Sequence, residues 1–64
     1  MTTEDIISIV EDALAQEGLT GAEVQVNPEA DGHWLTIGDE TVHVNSSTSE
    51  RELADYAVWM AESA

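Results

Sequence analysis

The stretch that decides the fold is HWLTIGDETVHV, residues 33–44. Apolar and polar residues alternate on both sides of Gly38-Asp39, a pattern typical of a β-hairpin with a two-residue turn. The predicted pairs are Ile37 with Glu40, Leu35 with Val42, Trp34 with His43 and His33 with Val44. One face of the hairpin is then apolar, and it is expected to be buried: Leu35, Ile37, Val42 and Val44.

A further strand is predicted before the hairpin. In residues 22–27, AEVQVN, apolar residues alternate with polar ones. The segment NPEADG, residues 27–32, is rich in turn-forming residues and is expected to end this strand. Short connections between consecutive strands favour an antiparallel meander.

The N-terminal segment has the periodicity of an amphipathic helix over about residues 3–17. Thr2 or Thr3 can cap it, and capping by Thr2 would place Asp5 for a capping box. Gly18 is a typical helix stop. The apolar stripe of this helix comprises Ile6, Ile7, Ile9, Val10, Ala13 and Leu14.

The C-terminal segment predicts a second helix over about residues 50–62, with Ser49 and Glu52 in a capping box. Its apolar stripe comprises Leu53, Ala57 and Met60, with Tyr56 and Ala61 beside it. We expect Trp59 to pack in the core or at its boundary. Arg51 can pair with Asp55 at i+4, which leaves the other acids unmatched.

These elements predict one α+β domain over residues 1–64, of order αβββα. The simplest packing is a three-stranded antiparallel sheet with both helices on one face. The chain has no cysteine, so it can form neither a disulfide nor a cysteine-based metal site.

Charge is the unusual feature of the composition. Fourteen Asp and Glu residues accompany a single base, Arg51, which gives a net charge of −13. Such a surface repels nucleic acid and anionic membranes and attracts basic proteins. High net charge also favours disorder, but 42% of the residues are hydrophobic and fall at regular spacings. The acidic N-terminus and the lack of a long apolar run predict a cytoplasmic protein.

Catalysis and metal binding have little support in the sequence. The chain lacks Cys and Lys, and it has no nucleophile motif. His33 and His43 are expected on opposite faces of the hairpin. Asp31-Gly32 is the only fragment of a calcium-loop pattern. We therefore expect no enzymatic activity, no cofactor and no metal site. Trp34 beside His43 either shields the hairpin or anchors a partner.

The acids of the first helix form two doublets, Glu4-Asp5 and Glu11-Asp12, one heptad or about 10 Å apart. Solubility alone would be served equally by Lys, and this helix has none. Regularly spaced carboxylates on a rigid helix can imitate the charge of duplex DNA. Loop acids can extend this predicted partner-binding surface: Glu29, Asp31, Asp39 and Glu40.

In size, charge and α/β makeup, the chain resembles the small acidic inhibitors of phages and mobile elements, including anti-CRISPR proteins and other DNA mimics. The acidic doublets of the first helix and the lone Arg51 carry this resemblance. It implies an inhibitor that occupies the nucleic-acid-binding surface of a basic protein, such as the PAM-reading region of a CRISPR effector complex.

Two other interpretations remain open. Proteins of extreme halophiles are also acidic and poor in Lys, in which case the charge reflects adaptation to salt. An acidic adaptor or antitoxin-like module would neutralise a basic partner without imitating DNA. The sequence does not separate these hypotheses, because all three share the same electrostatics.

Overall fold

The computed structural model describes residues 1–63 and contains two helices and one sheet. The elements in chain order are α1 (Thr3–Gln16), β1 (Val24–Glu29), β2 (Gly32–Ile37), β3 (Glu40–Val44) and α2 (Glu50–Ser63). The three strands form an antiparallel sheet in the order β1-β2-β3, and both helices contact it. The predicted α+β class and αβββα order are therefore confirmed.

The hairpin of β2 and β3 has the predicted register, with all four predicted pairs formed. Gly38 occupies the first central position of the turn with a φ of +60°, and Asp39 has a negative φ. A positive φ at the first central residue alone is the pattern of a type II′ turn, whose twist suits a tight hairpin. The register alternates apolar and polar side chains between the two faces of the sheet.

Strand β1 differs from the prediction. It covers Val24–Glu29 rather than residues 22–27, so half of the segment expected to form a turn belongs to β1. Only Ala30 and Asp31 connect Glu29 to its partner Gly32. The strand continues through Pro28 because β1 lies at the edge of the sheet, where proline's missing N–H group costs no interior hydrogen bond.

Both helices begin at capping boxes. The Thr2 hydroxyl accepts from the Asp5 N–H group at 3.1 Å, and the Asp5 carboxylate accepts from the Thr2 N–H group at 3.1 Å. Ser49 and Glu52 make the same reciprocal contacts at 3.1 and 3.2 Å. Each box satisfies N–H groups that have no partner within the helix. The predicted starts of both helices are therefore confirmed.

The core lies between the helices and one face of the sheet. Its buried residues come equally from α1, the sheet and α2: Ile6, Val10, Leu14, Leu35, Ile37, Val44, Leu53, Ala57 and Met60. Burying one large aliphatic side chain stabilises a fold by about 1.5–3 kcal/mol, so this cluster is the main favourable contribution to folding. The predicted stripe of α2 is confirmed at Leu53, Ala57 and Met60, but Tyr56 beside it is exposed. In the predicted stripe of α1, the buried residues are Ile6, Val10 and Leu14, whereas Ile7 and Ala13 are only partly buried.

Trp59 is the exception on α2. The side chain is 52% exposed, so its predicted packing in the core or at its boundary is wrong. Trp59 lies about 100° around the helix axis from Met60, which is fully buried. Because Met60 belongs to the buried cluster, this rotation places the indole outside that cluster.

The two helices run parallel to each other. The chain reverses direction four times between them, on entering β1, between successive strands and on entering α2, and an even number of reversals restores its first direction. The first turns of α1 and α2 accordingly lie side by side, and Asp5 and Glu50 line the same shallow depression. At the other end, Gly18 and Ala22 lie beside Ala61. The outer faces of α1 and α2 therefore form one continuous surface, which we call the helical layer.

Candidate polyanionic interface

The four predicted acids of α1 are all exposed, and they form two rows along its outer surface. At about 100° per residue, Glu4 and Glu11 lie on one row, and Asp5 and Asp12 lie on another. Asp5 borders α2, whereas Glu11 borders a depression beside Ala22 and Val24. Within a row the two acids are about 10 Å apart. In residues 1–63 no basic side chain forms an ion pair with any of the four.

Asp5 also has a structural role. Its carboxylate completes the capping box with Thr2, and with Glu4 it lies in the first turn of α1. Acids at a helix N-terminus interact favourably with the helix dipole. Replacing Asp5 would therefore change helix stability as well as surface charge, whereas Glu11 and Asp12 are mid-helix and accept no hydrogen bond from residues 1–63.

The four loop acids do not form one surface with one another. Asp31 and Asp39 lie at opposite ends of β2, which is six residues or about 17 Å long. Glu40 begins β3 on the core side of the sheet and is partly buried. Glu29 lies on the opposite, helix-free face. The eight predicted residues are therefore spread over several surfaces: the four on α1 share one helix, Asp31 lies near its start beside Met1 and Ile6, and the others lie elsewhere on the sheet.

Acids of α2 belong to the same layer, and the sequence-based prediction did not include them. Glu50 shares a depression with Asp5 at the first turns. Asp55 and Glu62 are exposed and lie one heptad apart, the same spacing as in the rows of α1. That spacing is visible in the sequence, but only the parallel packing of the helices shows that the rows share one layer.

Arg51 does not reduce this negative charge through a pair with Asp55. Between residues 1 and 63 the only contact of salt-bridge length joins His43 and Glu29, so the Arg51–Asp55 pair that the helical spacing allows is not formed. An exposed pair with the base N-terminal to the acid gains little on a helix, which explains why it does not form. The carboxylates of the helical layer therefore have no fixed cation.

The helix-free face of the sheet has a different character. Glu29 accepts a hydrogen bond from the Trp34 indole N–H group at 2.5 Å and contacts His43 Nε2 at 2.8 Å. The rings of Trp34 and His43 meet edge to face, with centroids 4.8 Å apart. Thr36 and Thr41 share a hydrogen bond of 3.1 Å beside them. This face is therefore polar and aromatic, and the Glu29 carboxylate at its centre is already engaged by Trp34 and His43.

Neither a metal site nor a membrane-spanning element is found in the described part of the chain. No three His, Asp or Glu side chains of residues 1–63 are placed to hold a metal ion together. Neither α1 nor α2 combines the length and apolar character needed to cross a bilayer.

Comparisons with protein-family models, with curated proteins and with solved structures give no match.

Proposed function

We propose that the protein binds a basic, nucleic-acid-binding protein through its helical layer and blocks the nucleic-acid site of that partner. One observation carries the proposal: the outer surfaces of two parallel helices expose acids in rows, with Arg51 as the only base among them. The contributing acids are Glu4, Asp5, Glu11, Asp12, Glu50, Asp55 and Glu62.

The rows are spaced to meet side chains that normally bind phosphates. One strand of duplex DNA carries a charge about every 3.4 Å, so acids about 10 Å apart correspond to about every third phosphate. Helices are rigid, so the spacing is fixed before binding and little conformational entropy is lost. A DNA mimic differs from a merely acidic surface in this respect, because the partner recognises the positions of the charges and not only their number.

The binding energy comes from many small contributions. An exposed ion pair contributes about 0–1 kcal/mol, so no single acid should dominate. A net charge of −13 also accelerates encounter with a basic partner, and this steering weakens as salt rises. We place the interaction in the cytoplasm, where such an inhibitor would compete directly with nucleic acid.

Competition with DNA tests the proposal. The immobilised protein is used to capture nucleic-acid-binding proteins, and the affinity of a purified captured partner is measured with and without duplex DNA. We expect duplex DNA to displace the protein, because both need the same basic surface. A partner that binds duplex DNA and this protein at the same time would contradict the proposal and favour an acidic adaptor.

A further inference from the structure

A groove of about 390 Å³ lies between the C-terminal halves of α1 and α2. Its floor is apolar and partly buried, formed by Ala13, Ala54 and Val58. Trp59 lines one side and exposes 52% of its surface. Its indole N–H group donates to no acceptor in residues 1–63, whereas that of Trp34 is held by Glu29. The groove therefore offers an aromatic surface that the fold itself does not use.

Carboxylates surround the mouth of this groove. Glu17 contributes one from the end of α1, and Asp55 and Glu62 contribute two from α2. All three are exposed, and none forms an ion pair with a base of residues 1–63. The site thus combines an apolar floor, an open indole and a negative rim.

We propose that this groove receives an arginine side chain of the basic partner, with its guanidinium stacked on Trp59 and hydrogen-bonded to the acidic rim. The inference rests on the proposed function, and it identifies where on the helical layer the partner is held most tightly.

The chemistry of the groove selects arginine over other occupants. An anion is repelled by the rim, and an apolar side chain would remove water from the carboxylates without replacing their hydrogen bonds. Guanidinium is planar and weakly hydrated, so it can stack on an indole and still donate several hydrogen bonds in its plane. Lysine carries the same charge but is more strongly hydrated and does not stack, so it fits less well.

The two tryptophans allow a direct test by nuclear magnetic resonance. A hexa-arginine peptide is added to the isotopically labelled protein, and the two indole N–H signals are followed. Trp59→Phe and Trp34→Phe variants assign them. We expect the Trp59 signal to shift and saturate while the Trp34 signal, on the opposite side of the molecule, stays in place. Hexa-lysine should bind about threefold to fivefold more weakly, the difference that stacking supplies at an exposed site.

Trp59→Ala provides the second measurement. Because the indole is exposed, this variant should keep the wild-type circular dichroism spectrum, and it should bind hexa-arginine no more tightly than hexa-lysine. Equal shifts at both indoles, equal affinities of the wild-type protein for the two peptides, or an unchanged arginine preference in Trp59→Ala would each overturn the inference.

Failure of the arginine groove and failure of the proposed function give different results. If hexa-arginine binds at Trp59 while duplex DNA fails to displace a captured partner, the groove is an arginine site and the proposed blocking of a nucleic-acid surface is wrong. If duplex DNA displaces the partner while the Trp59 signal does not respond to hexa-arginine, the proposed function stands and the arginine groove is wrong.

Discussion

Glu29 and His43 lie on the two outer strands of the sheet, yet their side chains meet across the central strand, with Oε1 and Nε2 2.8 Å apart. Outer strands of a three-stranded sheet are about 10 Å apart, so the contact needs open space above the middle strand. Gly32 of β2 pairs with Glu29 and has no side chain. The contact also engages the Glu29 carboxylate, which is therefore not one of the unpaired acids on the surface.

Gly32 should tolerate no larger residue. Its φ is +148°, and a Cβ atom there would lie 2.2 Å from the Val44 carbonyl oxygen and 3.2 Å from the His43 ring. We expect Gly32→Ala to destabilise the protein by about 1–3 kcal/mol, measured by urea unfolding, because both strain and collision must be relieved. The control is Gly21→Ala, whose added Cβ meets nothing within 4 Å. Equal stability of the two variants would show that the approach at Gly32 is not tight.

The Glu29–His43 pair should contribute modestly to stability. A double-mutant cycle with Glu29→Ala and His43→Ala is expected to give a coupling energy of about 0.2–1 kcal/mol, as for other partly exposed pairs. The same cycle between His43 and Asp39, which share no contact, should give none. A zero coupling energy for Glu29 and His43 would mean that the contact does not persist in solution.

The capping boxes should contribute more to the free energy of unfolding than their exposed positions suggest. Ser49→Ala removes the acceptor for the Glu52 N–H group and is expected to cost about 0.5–2 kcal/mol in thermal or urea unfolding. Ser46→Ala is the matched control, because the Ser46 hydroxyl makes no hydrogen bond to residues 1–63. A loss at Ser46 as large as that at Ser49 would argue against a specific cap.

Salt should stabilise the protein without being required for folding. A net charge of −13 produces self-repulsion, which ions screen over about 8 Å at 0.15 M and about 3 Å at 1 M. We expect circular dichroism melts to show a folded protein at about 0.15 M KCl and a higher midpoint at about 2 M. A chain that folds only at molar salt would instead support adaptation to a saline habitat, and its acids would say little about a partner.

Local patterns in the sequence were sufficient to predict most of the fold. The alternation in residues 33–44 and the Gly38-Asp39 turn determine the hairpin register, and the boxes at Thr2 and Ser49 mark the helix starts, because each depends on neighbouring residues only. The end of β1 was missed since Pro28 is a turn signal in isolation. Its position on an edge strand, which makes it acceptable, is a property of the whole sheet.

The sequence predicts the candidate interface less completely than the fold, because the positions of its acids also depend on how whole elements pack. The rows of α1 follow from helical periodicity, but the separation of Asp31 from Asp39 depends on the path of β2. The contribution of Asp55 depends on the parallel packing of the helices, which no local pattern encodes. The exposure of Trp59 depends on which side of α2 meets the sheet, and apolar composition alone favoured burial.

The most direct test of the central claim compares two charge-matched double variants for affinity to a captured DNA-binding partner. One is Glu11→Lys with Asp12→Lys on the outer face of α1, and the other is Asp31→Lys with Asp39→Lys in the two turns. Both change the net charge equally, and none of these four carboxylates accepts a hydrogen bond from residues 1–63.

If charge position on the helical layer determines binding, the helix variant should lose at least about tenfold in affinity, as several lost pairs of up to about 1 kcal/mol each imply. The turn variant should lose less than about threefold, and both should keep the wild-type circular dichroism spectrum. Equal losses in the two variants would show that only net charge matters, and an unchanged affinity of the helix variant would show that α1 is not the binding surface.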